Sequence, residues 1–105
     1  MEDFRSSINQ IVETAKLYEM IEINETVCIS QVHDVCPNDG NKFSLKELQE
    51  FVGGYIEFVY LKDGRLAVAN EEGVLLGLPF NMSASMEIGQ SVCGNILIAP
   101  RCMFD

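Results

Sequence analysis

The stretch YIEFVYLKDGRLAVAN, residues 55–70, constrains the fold of this chain more than any other. Of its first seven residues, all but Glu57 and Leu61 are β-branched or aromatic, and its last five, LAVAN, are apolar up to the final Asn70. The Asp63-Gly64 pair between them is a strong signal for a two-residue hairpin turn. The stretch therefore predicts two antiparallel strands, and Glu57 is expected to pair with Arg65 across the hairpin.

The residues after this hairpin predict a third strand and a meander. Glu71, Glu72 and Gly73 form a second turn signal, and residues 74–78, VLLGL, are apolar enough to return as a strand. A last strand is predicted at residues 95–100, NILIAP.

The first strand of the hairpin is apolar on both faces. One face carries Ile56, Phe58 and Tyr60, and the other carries Tyr55, Val59 and Leu61. A strand of this kind is either a central strand covered on both sides or a dimer contact.

Helices are predicted at three places. Apolar residues recur at spacings of three and four over residues 3–19, which predicts an N-terminal helix. Ser44 and Glu47 form a capping box before a short helix that Gly53 or Gly54 ends. Asn81 is a predicted N-cap for a helix over residues 82–88. Residues 20–33 have strand periodicity, with a break at residues 24–26.

Together these elements predict one α+β domain over residues 1–105. Its antiparallel β-meander is expected to carry helices packed on one face, with residues 3–19 as an extra helix. At 105 residues, of which 48% are hydrophobic, the chain is long enough to bury a core without a metal or disulfide.

The charge of the chain excludes some classes of function. With 16 acidic and 7 basic residues its net charge is −9, so neither nucleic acid nor an anionic membrane is an expected partner. The N-terminal residues lack a signal-peptide pattern, and no run of residues is long and apolar enough to cross a membrane. A cytoplasmic location is expected, with the four cysteines as free thiols.

From about Ser44 to Pro100 the chain resembles a known family. The motifs that carry the resemblance are LKELQEFVGGYIE, LKDGRLAVANEEG, LLGLPFN and VCGNILIAP. They are similar to those of the family called domain of unknown function 3846, whose members are small proteins of bacteria, phages and conjugative elements. The resemblance implies that residues 44–100 form the family-like core, and it implies no established activity. The chain departs from the family pattern at its predicted N-terminal helix.

The two asparagines that bracket residues 71–80 are the main candidates for a binding site. Asn70 is expected to point inward at the end of its strand and either to satisfy the turn amides or to bind a ligand. Asn81 either caps a helix or lines the same ligand pocket as Asn70. The candidate ligand-binding residues are Tyr55, Glu57, Asn70, Glu71, Glu72, Gly73, Leu78, Pro79 and Asn81.

No catalytic or metal-binding constellation is readable, and no cofactor is implied. Cys28, His33 and Cys36 have the wrong spacing for a zinc motif, and His33 has no assigned thiol beside it. Cys28 and Cys93 are expected to be small buried hydrophobes.

Two functions follow as hypotheses, both without catalysis. In the first, the protein is an accessory binding module for a small polar ligand, held near Asn70 and Asn81. In the second, its acidic surface engages a basic protein, for example as an anti-defence decoy. A homodimer is compatible with either function.

Overall fold

The computed structural model describes residues 14–104 of the chain. The elements are β1 (Ala15–Asn24), β2 (Val27–Val35), α1 (Leu45–Val52), β3 (Ile56–Tyr60), β4 (Leu66–Asn70), α2 (Met82–Ile88), β5 (Ile96–Ala99) and a short 3₁₀ helix (Arg101–Met103). The fold is α+β, as predicted.

The five strands form one antiparallel sheet in the order β2-β1-β5-β4-β3. Two hairpins, β1–β2 and β3–β4, lie side by side, and the last strand, β5, is inserted between them. The predicted meander is therefore wrong in its connection, because the neighbour of β4 is β5 and not the segment that follows β4 directly.

Residues 74–78, predicted as the third strand, form part of a loop of successive turns. The amide of Gly73 donates to Asn70 O (3.1 Å), and that of Gly77 donates to Val74 O (3.1 Å). Gly77 has φ of +70°, which side-chain-bearing residues rarely adopt. The turns at Gly73 and Gly77, four residues apart, therefore prevent this segment from forming a strand, although its composition is that of a strand.

The β3–β4 turn is longer than the two-residue turn predicted. Leu61 N donates to Arg65 O (3.0 Å), and Gly64 N donates to Leu61 O (3.1 Å). Gly64 has φ of +93°. This is a three-residue loop with its glycine in the left-handed region, a common alternative in hairpins.

The two helices lie on opposite faces of the sheet, so the prediction that they share one face is wrong. Leu66 and Val68 of β4 belong to the cluster that contains Leu48 of α1. Ala67 of β4 belongs to a second cluster, which contains Ala84 of α2. Every residue of β4 and β5 is buried, and strands that are apolar on both faces need a cover on each.

Strand β3, predicted to be either a central strand or a dimer contact, lies at the edge of the sheet, so the first alternative is wrong. Its side chains do alternate as expected, since Ile56 packs with the α1 cluster and Val59 with the α2 cluster. Phe58 and Tyr60 nevertheless stay 40% and 68% exposed.

The strand character of residues 20–33 and the break near residue 25 are confirmed by β1 and β2. Residues 15–19, predicted to end the N-terminal helix, belong to β1 instead, where Lys16, Leu17 and Tyr18 pair with β5. Residues 3–13 of that predicted helix lie outside the described residues.

The start and end of α1 are as predicted. Ser44 Oγ accepts from Glu47 N (3.1 Å), and Glu47 Oε2 accepts from Ser44 N (2.7 Å). Gly53, with φ of +79°, ends the helix. Within residues 14–104 no helix has the length and apolarity of a membrane span.

Candidate functional site

Asn70 ends β4 on the α1 side of the sheet and is 5% exposed. Its Oδ1 accepts from Glu72 N (2.8 Å), and its Nδ2 donates to Val52 O (3.1 Å). The side chain thus ties the turn after β4 to the end of α1, the structural role that was one of its two predicted roles.

Asn81 is completely buried at the start of α2. Its Oδ1 accepts from Ala84 N (3.2 Å) and from Ser30 Oγ (2.9 Å). Its Nδ2 donates to Tyr18 O (3.0 Å) and Gly94 O (2.8 Å). The predicted N-cap is confirmed, and the same side chain also joins β1, β2 and the approach to β5.

The two asparagines do not face one pocket. Asn70 lies against α1, whereas Asn81 begins α2 on the other side of the sheet. Leu78 lies against Gly94, where an added Cβ would come within 2.8 Å of its Cδ1, and Pro79 O accepts from Gly94 N. Leu78, Pro79 and Asn81 therefore hold the chain in place away from the clefts described next.

The turn loop, residues 71–77, is the most exposed apolar segment of the described chain. Val74, Leu75 and Leu76 are 83%, 85% and 58% exposed. Three consecutive large aliphatic side chains left in water are unusual, because isolated surface leucines are common but contiguous apolar groups mark contact sites. Sequence reasoning missed this surface, although the flanking glycines, Gly73 and Gly77, were a signal for it.

An acidic cleft of about 190 Å³ lies on one side of the turn loop. Its lining includes the carboxylates of Glu57, Glu71 and Glu72, the apolar side chains Val59, Ala69 and Val92, and the loop residues Val74 and Leu75. Among the described residues, no Lys, Arg or His lines this cleft. Its wall also includes residues 90–93, which sequence reasoning did not assign to the site.

Glu57 lines this cleft, and its predicted partner is engaged elsewhere. Arg65 Nε donates to Asp63 Oδ2 (2.8 Å), and Arg65 Nη2 donates to Glu87 Oε1 (2.8 Å). The hydrogen bond from the Arg65 amide lowers the pKa of Asp63. The predicted Glu57–Arg65 pair is therefore wrong, and Glu57 has no ion pair with any residue in the range 14–104.

A second cleft, here called the helix cleft, opens on the other side of the turn loop. It has a volume of about 310 Å³ and lies beside the end of α1. Gln49, Tyr55, Asn70, Glu72 and Leu76 contribute side chains to it. Six of the predicted ligand-binding residues thus line one or both clefts: Tyr55, Glu57, Asn70, Glu71, Glu72 and Gly73.

The cysteines and the histidine do not gather into a site. His33 Nε2 lies 2.9 Å from Glu19 Oε1 across the β1–β2 hairpin. Cys28 is exposed and Cys93 is half-buried, so the expectation that both are buried is wrong. Within the described range no three His, Cys, Asp or Glu side chains are grouped as metal ligands.

Comparison with known proteins places the chain in a family. No curated protein and no solved structure shows significant similarity to it. The family described as domain of unknown function (DUF3846) matches residues 10–102. The match extends well before residue 44, where the resemblance seen in the sequence began, and it includes the β1–β2 hairpin. This chain therefore belongs to the DUF3846 family.

Proposed function

We propose that this protein is a non-enzymatic binding module that engages a basic partner protein through the acidic cleft and the exposed turn loop. The observation that carries the proposal is the placement of three carboxylates beside three exposed aliphatic residues, with no basic side chain among the described residues that line the cleft. Such a surface suits a partner segment that combines Lys or Arg with a large apolar side chain.

The two parts of the surface have different energetic roles. Full burial of Val74 or Leu75 is worth about 1.5–3 kcal/mol each before the entropic cost of association. An exposed carboxylate contributes about 0.2–1 kcal/mol to an ion pair. The aliphatic side chains therefore supply most of the affinity, while Glu57, Glu71 and Glu72 select the partner and speed its approach.

The size of the acidic cleft also favours a protein partner. At about 190 Å³ it is smaller than the roughly 300–1,000 Å³ of typical small-molecule sites. A cleft of this size suits one side chain of a partner, and the neighbouring loop adds contact area beyond any small ligand.

The experiment uses a synthetic peptide in which two leucines are flanked by arginines, with fluorescence anisotropy as the readout. Replacing Glu57, Glu71 and Glu72 with Gln should weaken binding about tenfold, since three exposed charges sum to about 1–2 kcal/mol. The matched control removes the same charge elsewhere, with Glu22, Glu25 and Glu50 changed to Gln. Equal weakening by both triple variants would show that net charge alone causes the effect, and it would reject the acidic cleft as the binding site.

Binding of a small polar ligand is a second candidate, favoured by the helix cleft. Its volume of about 310 Å³ reaches the range of ligand sites, and Gln49, Tyr55 and Asn70 offer neutral polar groups. Native mass spectrometry of the protein purified from cells, compared with its denatured mass, tests this candidate. A retained small-molecule mass that Tyr55→Ala abolishes would favour it, whereas the bare chain mass would count against it.

The setting that goes with this proposal is the cytoplasm of a bacterium that carries a phage or mobile element. All four cysteines are free thiols, as is usual in reducing compartments. A host protein or an element-encoded protein would then be the basic partner, and an anti-defence decoy is one such role.

A further inference from the structure

Strand β3 lies at one edge of the sheet, and no strand within residues 14–104 pairs with its outer side. At its two ends, Glu71 N donates to Tyr55 O (2.8 Å) and Leu61 N donates to Arg65 O (3.0 Å). In an antiparallel ladder every second residue bonds to the neighbouring strand, so the odd-numbered residues of β3 face β4. The peptide groups that point to the open edge are those of Ile56, Phe58 and Tyr60.

This edge lacks the features that usually prevent strands from associating. Natural edge strands carry Lys, Pro or bulges, whereas β3, IEFVY, has one charge and a regular register with β4. Tyr55 and Tyr60 are each 68% exposed beside it, and Phe58 is 40% exposed. The opposite edge, β2, carries polar Gln31, His33 and Asp34 instead.

We propose that a second copy of this chain pairs with β3, strand to strand and antiparallel, about a two-fold axis at Phe58. In this register Phe58 lies opposite Phe58 of the second copy, and Ile56 lies opposite Tyr60. Each of these pairs exchanges two N–H···O bonds, because the peptide groups on both edges point outward. The two five-stranded sheets become one continuous sheet.

The strand is complementary to itself in this register. Glu57 lies opposite Val59 of the second copy, so no two carboxylates face each other. A two-fold axis at Glu57 would instead place two carboxylates opposite each other in a non-hydrogen-bonded pair, where opposing side chains lie closest together. The hydrogen-bond pattern allows both axes, and the position of the single carboxylate selects the one at Phe58.

The apolar area available is of the size that a dimer needs. If each ring offers about 200 Å² when fully exposed, the exposed parts of Tyr55, Phe58 and Tyr60 sum to roughly 350 Å² per copy. A stable interface buries about 800 Å² per partner. The rings therefore supply nearly half of it, and the backbone edge and the adjoining grooves supply the rest.

A groove beside the strand fits the incoming aromatic ring. It has a volume of about 190 Å³ and is lined by Leu45, Leu48, Ile56 and Phe58, with Phe43 and Phe104. Tyr60 of the second copy lies opposite Ile56 in the proposed register, and its ring would cover this groove. Leu45, which is 59% exposed, would be buried by the same contact.

A dimer of this kind also affects the proposed partner site, although it does not depend on it. A two-fold axis perpendicular to the sheet keeps the α2 side of both copies on the same side. The two acidic clefts, each containing Glu57 and Val59 of β3, would then lie close together and form a bivalent surface.

The test is sedimentation velocity of the full chain over a concentration series, with paired charge substitutions at the axis. The wild-type chain should sediment as a dimer, and Phe58→Lys and Phe58→Glu should each be monomeric. An equimolar mixture of these two variants should restore a dimer, because opposite charges then meet at the axis. Circular dichroism checks that each variant is folded, and Val32→Lys on β2 is the control that should remain dimeric.

Several results would overturn the proposal. A wild-type chain that stays monomeric at all concentrations rejects it. So does a dimer that both Phe58 variants leave intact, since its contact lies elsewhere. If the two variants are folded and monomeric but do not dimerise when mixed, Phe58 lies in the interface but not opposite Phe58 of the second copy, and the proposed axis is rejected. A strand from another protein at this edge would likewise leave the chain monomeric on its own.

Discussion

Asn81 shows how a single buried amide can join three elements. It bonds to the start of α2, to β1 and β2, and to Gly94. We predict that Asn81→Ala lowers the free energy of unfolding by about 2–4 kcal/mol, because buried donors and acceptors lose their partners. Urea denaturation measures this, with Asn24→Ala at the exposed end of β1 as a control that should cost less than about 1 kcal/mol. A similar loss for both variants would contradict the assigned role.

Glu47 makes the stability of the protein depend on pH. Its two oxygens accept from Ser44 N and Asn38 N, each at 2.7 Å, and these backbone hydrogen bonds lower the pKa of Glu47. Because the folded-state pKa lies below the unfolded one, the stabilisation is present above about pH 4.3 and is lost as pH falls through the folded-state pKa. Glu47→Gln should therefore be less stable than wild type at pH 7, and the difference should shrink in acid. Parallel stability curves for the two proteins from pH 7 to 3 would contradict this.

At the scale of elements, the position of the turn loop depends on the approach to β5. Gly94 has φ of +81°, and an added Cβ would meet Leu78 Cδ1 at 2.8 Å. Gly77 has φ of +70° with open space around it. We predict that Gly77→Ala costs about 1–2 kcal/mol from backbone strain alone, and that Gly94→Ala costs more because Leu78 must also move. Thermal unfolding measures the loss of stability in both variants. An equal loss would show that Leu78 moves away from the added methyl group without a cost in free energy.

The sequence predicts local elements well and their partners poorly. The capping box of α1, the N-cap of α2 and the β3–β4 hairpin depend on residues close together in the chain, and each lies where predicted. The place of β5 between β1 and β4 depends on pairing across about thirty to eighty residues, which no local pattern encodes. Residues 74–78 were misassigned for a local reason, because their apolar composition suits a strand while the glycines around them close turns.

The candidate site follows the same division. The acidic turn after β4 was readable from Glu71, Glu72 and Gly73, and these residues line the acidic cleft. The separation of Asn70 from Asn81 was not readable, since side chains at the two ends of a short loop can lie on the same face or on opposite faces of a sheet. The contribution of residues 90–93 depends on the Phe80–Cys93 bridge, a contact that the sequence does not indicate.

For the molecule as a whole, net charge should act in opposite directions on the two proposed contacts. Each chain carries −9, so two copies repel each other and a basic partner is attracted. Raising the salt concentration from about 50 to 500 mM should therefore strengthen the β3 dimer and weaken binding of the basic peptide. Sedimentation and fluorescence anisotropy at matched salt concentrations measure the two responses. A dimer that dissociates in high salt would contradict the apolar edge contact.

The most direct measurement is the map of amide chemical-shift changes when the leucine–arginine peptide is added to the ¹⁵N-labelled protein. Binding at the acidic cleft predicts that the largest changes lie at residues 57, 69–76 and 90–93, and that Leu75→Ala reduces them without unfolding the chain. Changes centred on the β1–β2 hairpin, or spread evenly over all exposed acidic residues, would contradict the proposed binding surface.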